Sequence, residues 1–287
     1  MGPLYLARKS ENGRLGIRRG VYILPSLFTV GTLVCGYFAI LSTVRGAQLL
    51  AAGAASGLAL AAFDNAAKAI GCAILFDGLD GQIARLTGTA SAFGREFDSL
   101  ADVTAFGVAP ALLAYVWGIR GVDEIAGTDL IQHLRQAAWI ITFAYVICGA
   151  ARLARFNIDV VKPTSDRRFF VGLPIPAAAG VVAAVVHWLK MPVTIWEISL
   201  GWTVAVGVLA FLMVSRMRYY SFKALDLGKR RSYLILVVIG LVIWGIFFYS
   251  EPVLLTLSLT YALSGIILRI SSKIRPHPPA PEEVHAS

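Results

Sequence analysis

The sequence predicts an all-α fold, a polytopic membrane bundle of about eight transmembrane helices. Hydrophobic residues make up 57% of the 287 residues and charged residues only 15%, and the mean hydropathy is +0.71. These values lie far from those of soluble domains. Apolar stretches long enough to span a bilayer recur along the chain. Most Lys and Arg residues fall in alternate connections between these stretches, as the positive-inside rule expects of cytoplasmic segments.

The candidate spans are apolar runs bounded by charged or turn-forming residues. They cover residues 22–43, 65–87, 97–118, 137–157, 172–190, 194–214, 232–249 and 252–270. The segment from Ala47 to Phe63 is also apolar, but it is rich in small residues. An additional span there would invert the distribution of Lys and Arg, so we interpret this segment as a helical extension or a hairpin.

The chain is expected to form one membrane unit with short flanking parts. Residues 1–21 are interpreted as a basic cytoplasmic segment, 22–225 as the membrane core, and 226–271 as two additional C-terminal transmembrane helices. Residues 272–287 are rich in proline and are expected to be a disordered cytoplasmic tail. The net charge of +9 is mostly accounted for by the inner-side connections. Nucleic-acid binding is not expected, because there is no soluble basic domain with exposed aromatic residues.

Four aspartates adjoin the second and third apolar stretches. On a helix, Asp77 and Asp80 share a face, as do Gly94, Asp98 and Asp102. Ionised carboxylates in apolar surroundings are costly unless cations neutralise them, and oxygen ligands of this kind favour Mg²⁺ or Mn²⁺. The sequence therefore predicts a site for two divalent metal ions at the membrane surface.

Small residues and one arginine accompany these carboxylates. Gly78, Gly81 and Gly94 carry no side chain, which would let a phosphate or nucleotide lie close to the backbone. Arg85 adds a planar guanidinium whose donors suit a phosphate group. The pattern indicates a phosphorylated ligand beside the metal ions.

The spacing from Asp77 to Asp102 is D-x-x-D-G-x-x-A-R-x8-G-x3-D-x3-D. It resembles the signature of the CDP-alcohol phosphotransferase family at every fixed position. Ser26 and Thr32 stand where many relatives carry asparagine. The flanks resemble one branch of the family, the phosphatidylserine synthases or CDP-diacylglycerol-serine O-phosphatidyltransferases. The segments that carry this closer resemblance are 22–25, 97–102, 106–111, 151–157, 172–178 and 215–223.

The resemblance implies a six-helix core and transfer of a phosphatidyl group from CDP-diacylglycerol to the hydroxyl of L-serine, with release of CMP. It implies that all four aspartates hold the metal pair and that Asp102 is also the candidate general base. It further implies a homodimer. The distribution of Lys and Arg predicts that the site faces the cytoplasm, in a protein of the cell membrane that contacts its lipids. The matching positions that would line the path of the donor are Gly78, Gly81, Ala84, Arg85 and Gly94.

The acceptor side is less determined by the sequence. Arg152 and Arg155 could meet the carboxylate of serine, or they could simply belong to the inner-side cations. Within the same fold, glycerol 3-phosphate or an inositol phosphate is an alternative acceptor. A cation transporter is a more distant alternative, but its carboxylates would be expected near the bilayer midplane on broken helices of related halves.

Overall fold

The structure of the protein, a computed structural model, describes residues 11–53, 56–87, 92–119, 122, 128–161, 169–220 and 232–274. A π-helical segment, Val103–Val108, joins α3 and α4 without a break. The helices of the described chain therefore form eight rods. Their bounds are α1 Glu11–Ala51, α2 Ser56–Thr87, α3 Ala92–Asp102, α4 Ala109–Gly118, α5 Thr128–Val161, α6 Ile175–Leu189, α7 Trp196–Val214, α8 Ser232–Phe248 and α9 Ser250–Ile274.

The prediction of a polytopic helical membrane protein is confirmed. Within the described residues, six rods are long and apolar enough to cross a bilayer. Helices α6, with 15 residues, and α8, with 17, are shorter. The six spans are Leu27–Ala51, Gly57–Ile83, Ala92–Gly118, Asp129–Ile158, Trp196–Val214 and Ser250–Ile267.

The segment from Ala47 to Phe63 forms the end of α1 and the start of α2. The chain leaves α1 through a turn at Ala52 and Gly53, where Gly53 has a φ of 63°. Glycine is the usual residue for this left-handed ending of a helix. The segment is thus a helical hairpin and not an additional span, and α1 and α2 are longer than the predicted spans.

The helices pack side by side, and the bundle that they form has two ends. One end carries the signature residues at the close of α2 and the start of α3, and we call it the motif end. At the opposite end, the Val193 N–H donates to the Trp117 carbonyl at 3.0 Å. The Trp202 indole N–H donates to the Ala114 carbonyl, also at 3.0 Å. These bonds attach α7 and the segment before it to α4.

A short antiparallel ladder closes the motif end, which the sequence analysis did not predict. Strand β1, Phe169–Val171, pairs with β2, Arg218–Tyr220, and Phe170 lies opposite Tyr219. Gly172 follows β1 with a φ of 81°, and its N–H donates to the Met217 carbonyl at 2.8 Å. A side chain at Gly172 would also collide with backbone oxygens of the α7 end, so the ladder requires glycine there.

Small residues allow the helices to approach closely, as is usual in membrane bundles. An added Cβ at Gly36 of α1 would lie 2.7 Å from the Ala105 Cα in the π-helical segment. The ring of Trp202 similarly fills the space beside Gly118. Helix α1 is therefore packed directly against the backbone that follows Asp102.

Part of the predicted domain organisation lies outside the described residues. The structure describes the backbone from Glu11 of the predicted segment 1–21, and it ends at Ile274, early in the predicted tail 272–287. The bounds proposed for the core and the C-terminal pair of helices stay predictions.

Candidate active site

Helices α2 and α3 bring three of the four aspartates together. Asp77 lies on α2, and Asp98 and Asp102 lie on α3. One carboxylate oxygen from each residue lies within 4.8 Å of the others. Asp77 and Asp98 are half-buried, whereas Asp102 is only 7% exposed. The two faces predicted from the helical spacing therefore meet at one place.

The fourth carboxylate, Asp80, lies beside this cluster. It is 6% exposed and accepts a hydrogen bond from the Thr29 hydroxyl of α1. It also interacts electrostatically with Asp98. Thr29 was not predicted as a site residue, although a hydroxyl residue within the first apolar stretch is a signal that the sequence contains. Helix α1 thus helps to position the site by holding one of its carboxylates.

The electrostatics of the cluster favour a bound cation. The carboxylates of Asp77, Asp80 and Asp98 all lie close enough to repel that of Asp102. The buried Oδ1 atom of Asp102 has no hydrogen-bond partner. A buried anionic oxygen without a partner is costly, and a divalent cation would remove both this cost and the mutual repulsion. The residues therefore fit hard divalent ions such as Mg²⁺ or Mn²⁺.

The glycines beside the cluster lie on an open face. Gly78 and Gly81 are exposed, and an added Cβ at either position would meet no atom within 4 Å. Gly94 is half-buried and precedes Asp98 by about one turn of α3. Ala84 and Arg85 belong to α2, but their side chains lie outside what the structure describes. The open face is compatible with a ligand that approaches the backbone of α2.

Arg152 and Arg155, which were predicted together as acceptor residues, have different surroundings in the structure. Arg152 of α5 is 8% exposed, interacts electrostatically with Asp102, and has a buried Nε atom without a hydrogen-bond partner. Arg155 is exposed and donates a hydrogen bond to the Val214 carbonyl at 3.3 Å. Arg152 therefore belongs to the surroundings of the site, whereas Arg155 contacts the end of α7.

Helix α5 supports α3 and the π-helical segment through two further contacts. The Asn157 side-chain amide donates to the Ser99 hydroxyl at 2.9 Å. The buried Tyr145 hydroxyl donates to the Phe106 carbonyl at 3.3 Å. The first contact directly follows Asp98 in sequence and the two together bracket Asp102, so α5 supports the helix that carries half of the cluster.

The fold and this site define a polytopic membrane protein with a partly buried carboxylate centre suited to divalent cations. Residues 22–209 match the family model described as CDP-alcohol phosphatidyltransferase. The chain belongs to this family, which confirms the resemblance of its signature. Membership in this family also argues against the cation transporter considered as an alternative.

Several curated proteins are similar to the chain over most of its length. A CDP-diacylglycerol-serine O-phosphatidyltransferase of Helicobacter pylori strain J99 is 36% identical over 228 residues, which cover 77% of this chain and 82% of that protein. A protein of the same name from Methanocaldococcus jannaschii is 36% identical over 208 residues, covering 72% and 86%. One from Mycobacterium leprae is 33% identical over 199 residues, covering 68% and 57%.

Proposed function

We propose that this protein transfers the phosphatidyl group of CDP-diacylglycerol to the hydroxyl of L-serine and releases CMP. The names of the relatives support this donor and this acceptor. The carboxylate cluster beside the open face of α2 supports a diphosphate donor held at this end of the bundle. Membership in the family supports the reaction class.

The arrangement of Asp102 and Arg152 carries the proposal of a serine acceptor. Both side chains are more than nine-tenths buried and interact electrostatically, but no ion pair joins them in the described part of the chain. Each has a buried polar atom without a hydrogen-bond partner. L-serine matches both groups, because its hydroxyl can donate to a carboxylate and its own carboxylate can bind a guanidinium.

The reaction joins the serine oxygen to the phosphorus that carries the diacylglycerol. In this step the bond between that phosphorus and the oxygen of the departing CMP breaks, and CMP leaves with the bonding electrons. Asp102 accepts the proton of the serine hydroxyl, because a neutral alcohol is a poor nucleophile. A carboxylate has two oxygens, so Asp102 can offer one to a cation and the other to the hydroxyl.

The aspartates supply the ligands for the metal pair that we propose. Asp77, Asp98 and Asp102 form the central set, and Asp80 lies beside them with its orientation fixed by Thr29. When bound, two Mg²⁺ or Mn²⁺ ions supply charge neutralisation of the diphosphate and of the leaving CMP. The glycines of α2 leave room for the donor, and the carboxylates orient it toward the acceptor.

We place the active site on the cytoplasmic side of the cell membrane. Arg95, Arg155, Arg216 and Arg269 lie at or near the motif end of their helices or connections, and the positive-inside rule assigns such an end to the cytoplasm. Labelling of single cysteines with an impermeant reagent in right-side-out and inverted vesicles tests this placement. Labelling at position 95 only in right-side-out vesicles would contradict it. We also propose a homodimer, which mass measurement in nanodiscs would test.

The decisive experiment is a transfer assay with purified protein and CDP-diacylglycerol in mixed micelles. CMP release should require L-serine and yield phosphatidylserine, whereas glycerol 3-phosphate and inositol phosphate should give little product. Formation of a different phospholipid from either of these acceptors would overturn the assignment of serine. Absence of CMP release with all three acceptors, from folded protein with Mg²⁺ or Mn²⁺, would overturn the reaction.

The two arginines provide a matched pair of variants. Arg152→Ala should raise the KM for serine about 10- to 100-fold, reflecting the loss of a charge-assisted contact of about 1.5 to 3 kcal/mol. Arg155→Ala removes the same charge from the exposed surface of the same helix, and its effect on this KM should be much smaller. Similar effects of the two substitutions would indicate a general electrostatic role instead of a serine contact.

A further inference from the structure

Helix α9 lies outside the residues that match the family, yet it reaches the surroundings of the active site. The matched region ends at residue 209, whereas α9 covers Ser250–Ile274. The Tyr219 hydroxyl donates to the Ala262 carbonyl of α9 at 3.3 Å. The Tyr219 ring also fills the space beside Gly265, where an added Cβ would collide with it. The ladder at the motif end therefore holds the middle of α9.

A second set of contacts holds α9 at the opposite end. His187 of α6 lies between Asp64 of α2 and the first residue of α9. Its Nδ1 is 2.5 Å from the Asp64 carboxylate, and its Nε2 is 3.0 Å from the Ser250 hydroxyl. Lys190 forms an ion pair with Glu251. Because α9 is held at its first turn and at its middle, its rotation and its position along the bundle are both fixed.

One side chain of α9 lies within electrostatic range of the arginine that we assign to the acceptor. The half-buried Tyr261 interacts electrostatically with Arg152. Its ring packs against that of Tyr219, with the two centroids 5.9 Å apart. Arg152 in turn interacts with Asp102. Arg152 of α5 thus interacts with both a phenol of α9 and a carboxylate of α3.

We infer that α9 completes the acceptor site, with the Tyr261 hydroxyl donating a hydrogen bond to the acceptor carboxylate beside Arg152. A carboxylate has two oxygens, so it can bind the guanidinium and the phenol together. Tyrosine suits this place because its ring packs on that of Tyr219 and its hydroxyl is a group that can donate a hydrogen bond. The inference rests on the proposed function and adds a residue from beyond the region matched by the family. It assigns recognition of the amino-acid carboxylate partly to the C-terminal helices.

The test compares Tyr261→Phe with Tyr249→Phe in the full-length protein in mixed micelles. Both changes remove one hydroxyl, but Tyr249 is 61% exposed and lies at the opposite end of the bundle. Tyr261→Phe should raise the KM for L-serine about tenfold or more, as expected for a hydrogen bond to a charged group. The KM for CDP-diacylglycerol should change by less than about twofold. Tyr249→Phe should behave as the unmodified protein.

A serine analogue distinguishes a carboxylate contact from a structural effect. L-serine methyl ester keeps the hydroxyl and the amine but carries no negative carboxylate. If Tyr261 binds the carboxylate, the unmodified protein should use the ester poorly, and Tyr261→Phe should raise its KM by less than about twofold. An equal rise for serine and its ester, or for serine and the lipid donor, would overturn the inference. Thermal unfolding in detergent should be similar for the two tyrosine variants.

These results separate the inference from the proposed function. If the unmodified protein forms no phosphatidylserine, the proposed function fails, and the inference fails with it. If it forms phosphatidylserine and Tyr261→Phe has an unchanged KM for serine, only the inference fails. A selective rise in the KM for serine supports both.

Discussion

Replacement of Gly81 by alanine should separate the folding of α2 from the role in donor binding that we propose for it. Gly81 lies one residue after Asp80 on an exposed part of the helix, and an added Cβ would meet no atom within 4 Å. Gly71 of the same helix has equally open surroundings. It lies ten residues earlier, which is about 15 Å along a helix axis. Gly71→Ala is therefore a matched control far from the carboxylates.

The structure gives the sign and the scale of both effects. Because neither added methyl group encounters an obstacle, each substitution should be neutral for stability or stabilise the helix by about 0.5 to 1 kcal/mol. At Gly81, however, the methyl group would occupy the surface on which we expect the donor to lie. We expect the KM for CDP-diacylglycerol to rise at least about tenfold, which corresponds to about 1.4 kcal/mol of binding free energy.

The assay measures thermal unfolding in detergent together with transfer rates at varied donor and serine concentrations. Neither substitution should lower the unfolding temperature. Gly81→Ala should retain the KM for serine but bind the donor weakly, whereas Gly71→Ala should retain both KM values. Equal donor affinity in the two variants would refute the reasoning, because it would show that the open face of α2 is not used. A loss of stability in Gly81→Ala alone would also refute it.

Four further predictions concern the cluster and its supports. Chelation by EDTA should abolish transfer, and Mg²⁺ or Mn²⁺ should restore it; full activity in metal-free buffer would contradict the proposed metal pair. Asp98→Asn should reduce kcat/KM by more than about 100-fold while the protein still folds, and near-normal turnover would make Asp98 structural. Asp102→Asn should lower kcat more than donor affinity, as measured by equilibrium binding of CDP-diacylglycerol; an equal loss would assign Asp102 to metal binding alone. Burial raises the pKa of the Tyr219 phenol to about 12, so its contribution to stability should be present below pH 10 and lost between pH 10 and pH 12. Tyr219→Phe should reduce that loss in pH-dependent unfolding, and an unchanged loss would exclude Tyr219 as its source.

The helices and the carboxylate cluster could be predicted because both depend on local spacing. Apolar runs of sufficient length specify membrane-spanning helices with little influence from the rest of the chain. The spacing of Asp98 and Asp102 places them on one helical face in any packing arrangement. The meeting of that face with Asp77 needed only the assumption that consecutive helices are neighbours. The helices and the proximity of these carboxylates could therefore be predicted from a single sequence, because both follow from local spacing.

The contacts around the cluster depend on how the helices pack, and they could not be predicted from local spacing in the sequence. Arg152 and Arg155 are equivalent in the sequence pattern, and only the positions of α3 and α7 make one buried beside Asp102 and the other exposed beside Val214. Thr29 is one of several hydroxyl residues in its apolar stretch. Which of them bonds Asp80 depends on how α1 packs against α2. Tyr261 of α9 lies more than 100 positions from Arg152 in sequence, so no local periodicity relates the two residues.

The π-helical segment shows how the fold determines the position of Asp102. The segment begins at Val103, directly after this aspartate, and the Ala109 N–H donates to the Thr104 carbonyl five residues earlier. Such wide turns are rare and often occur at functional sites, because they change the register of the residues on either side. Two neighbours hold this one, since Gly36 of α1 packs on Ala105 and the Tyr145 hydroxyl of α5 binds the Phe106 carbonyl. The direction of the Asp102 carboxylate therefore depends on packing by α1 and α5 and not only on the local preference of α3. This dependence explains how a single aspartate can lie close both to Asp77 of α2 and to Arg152 of α5.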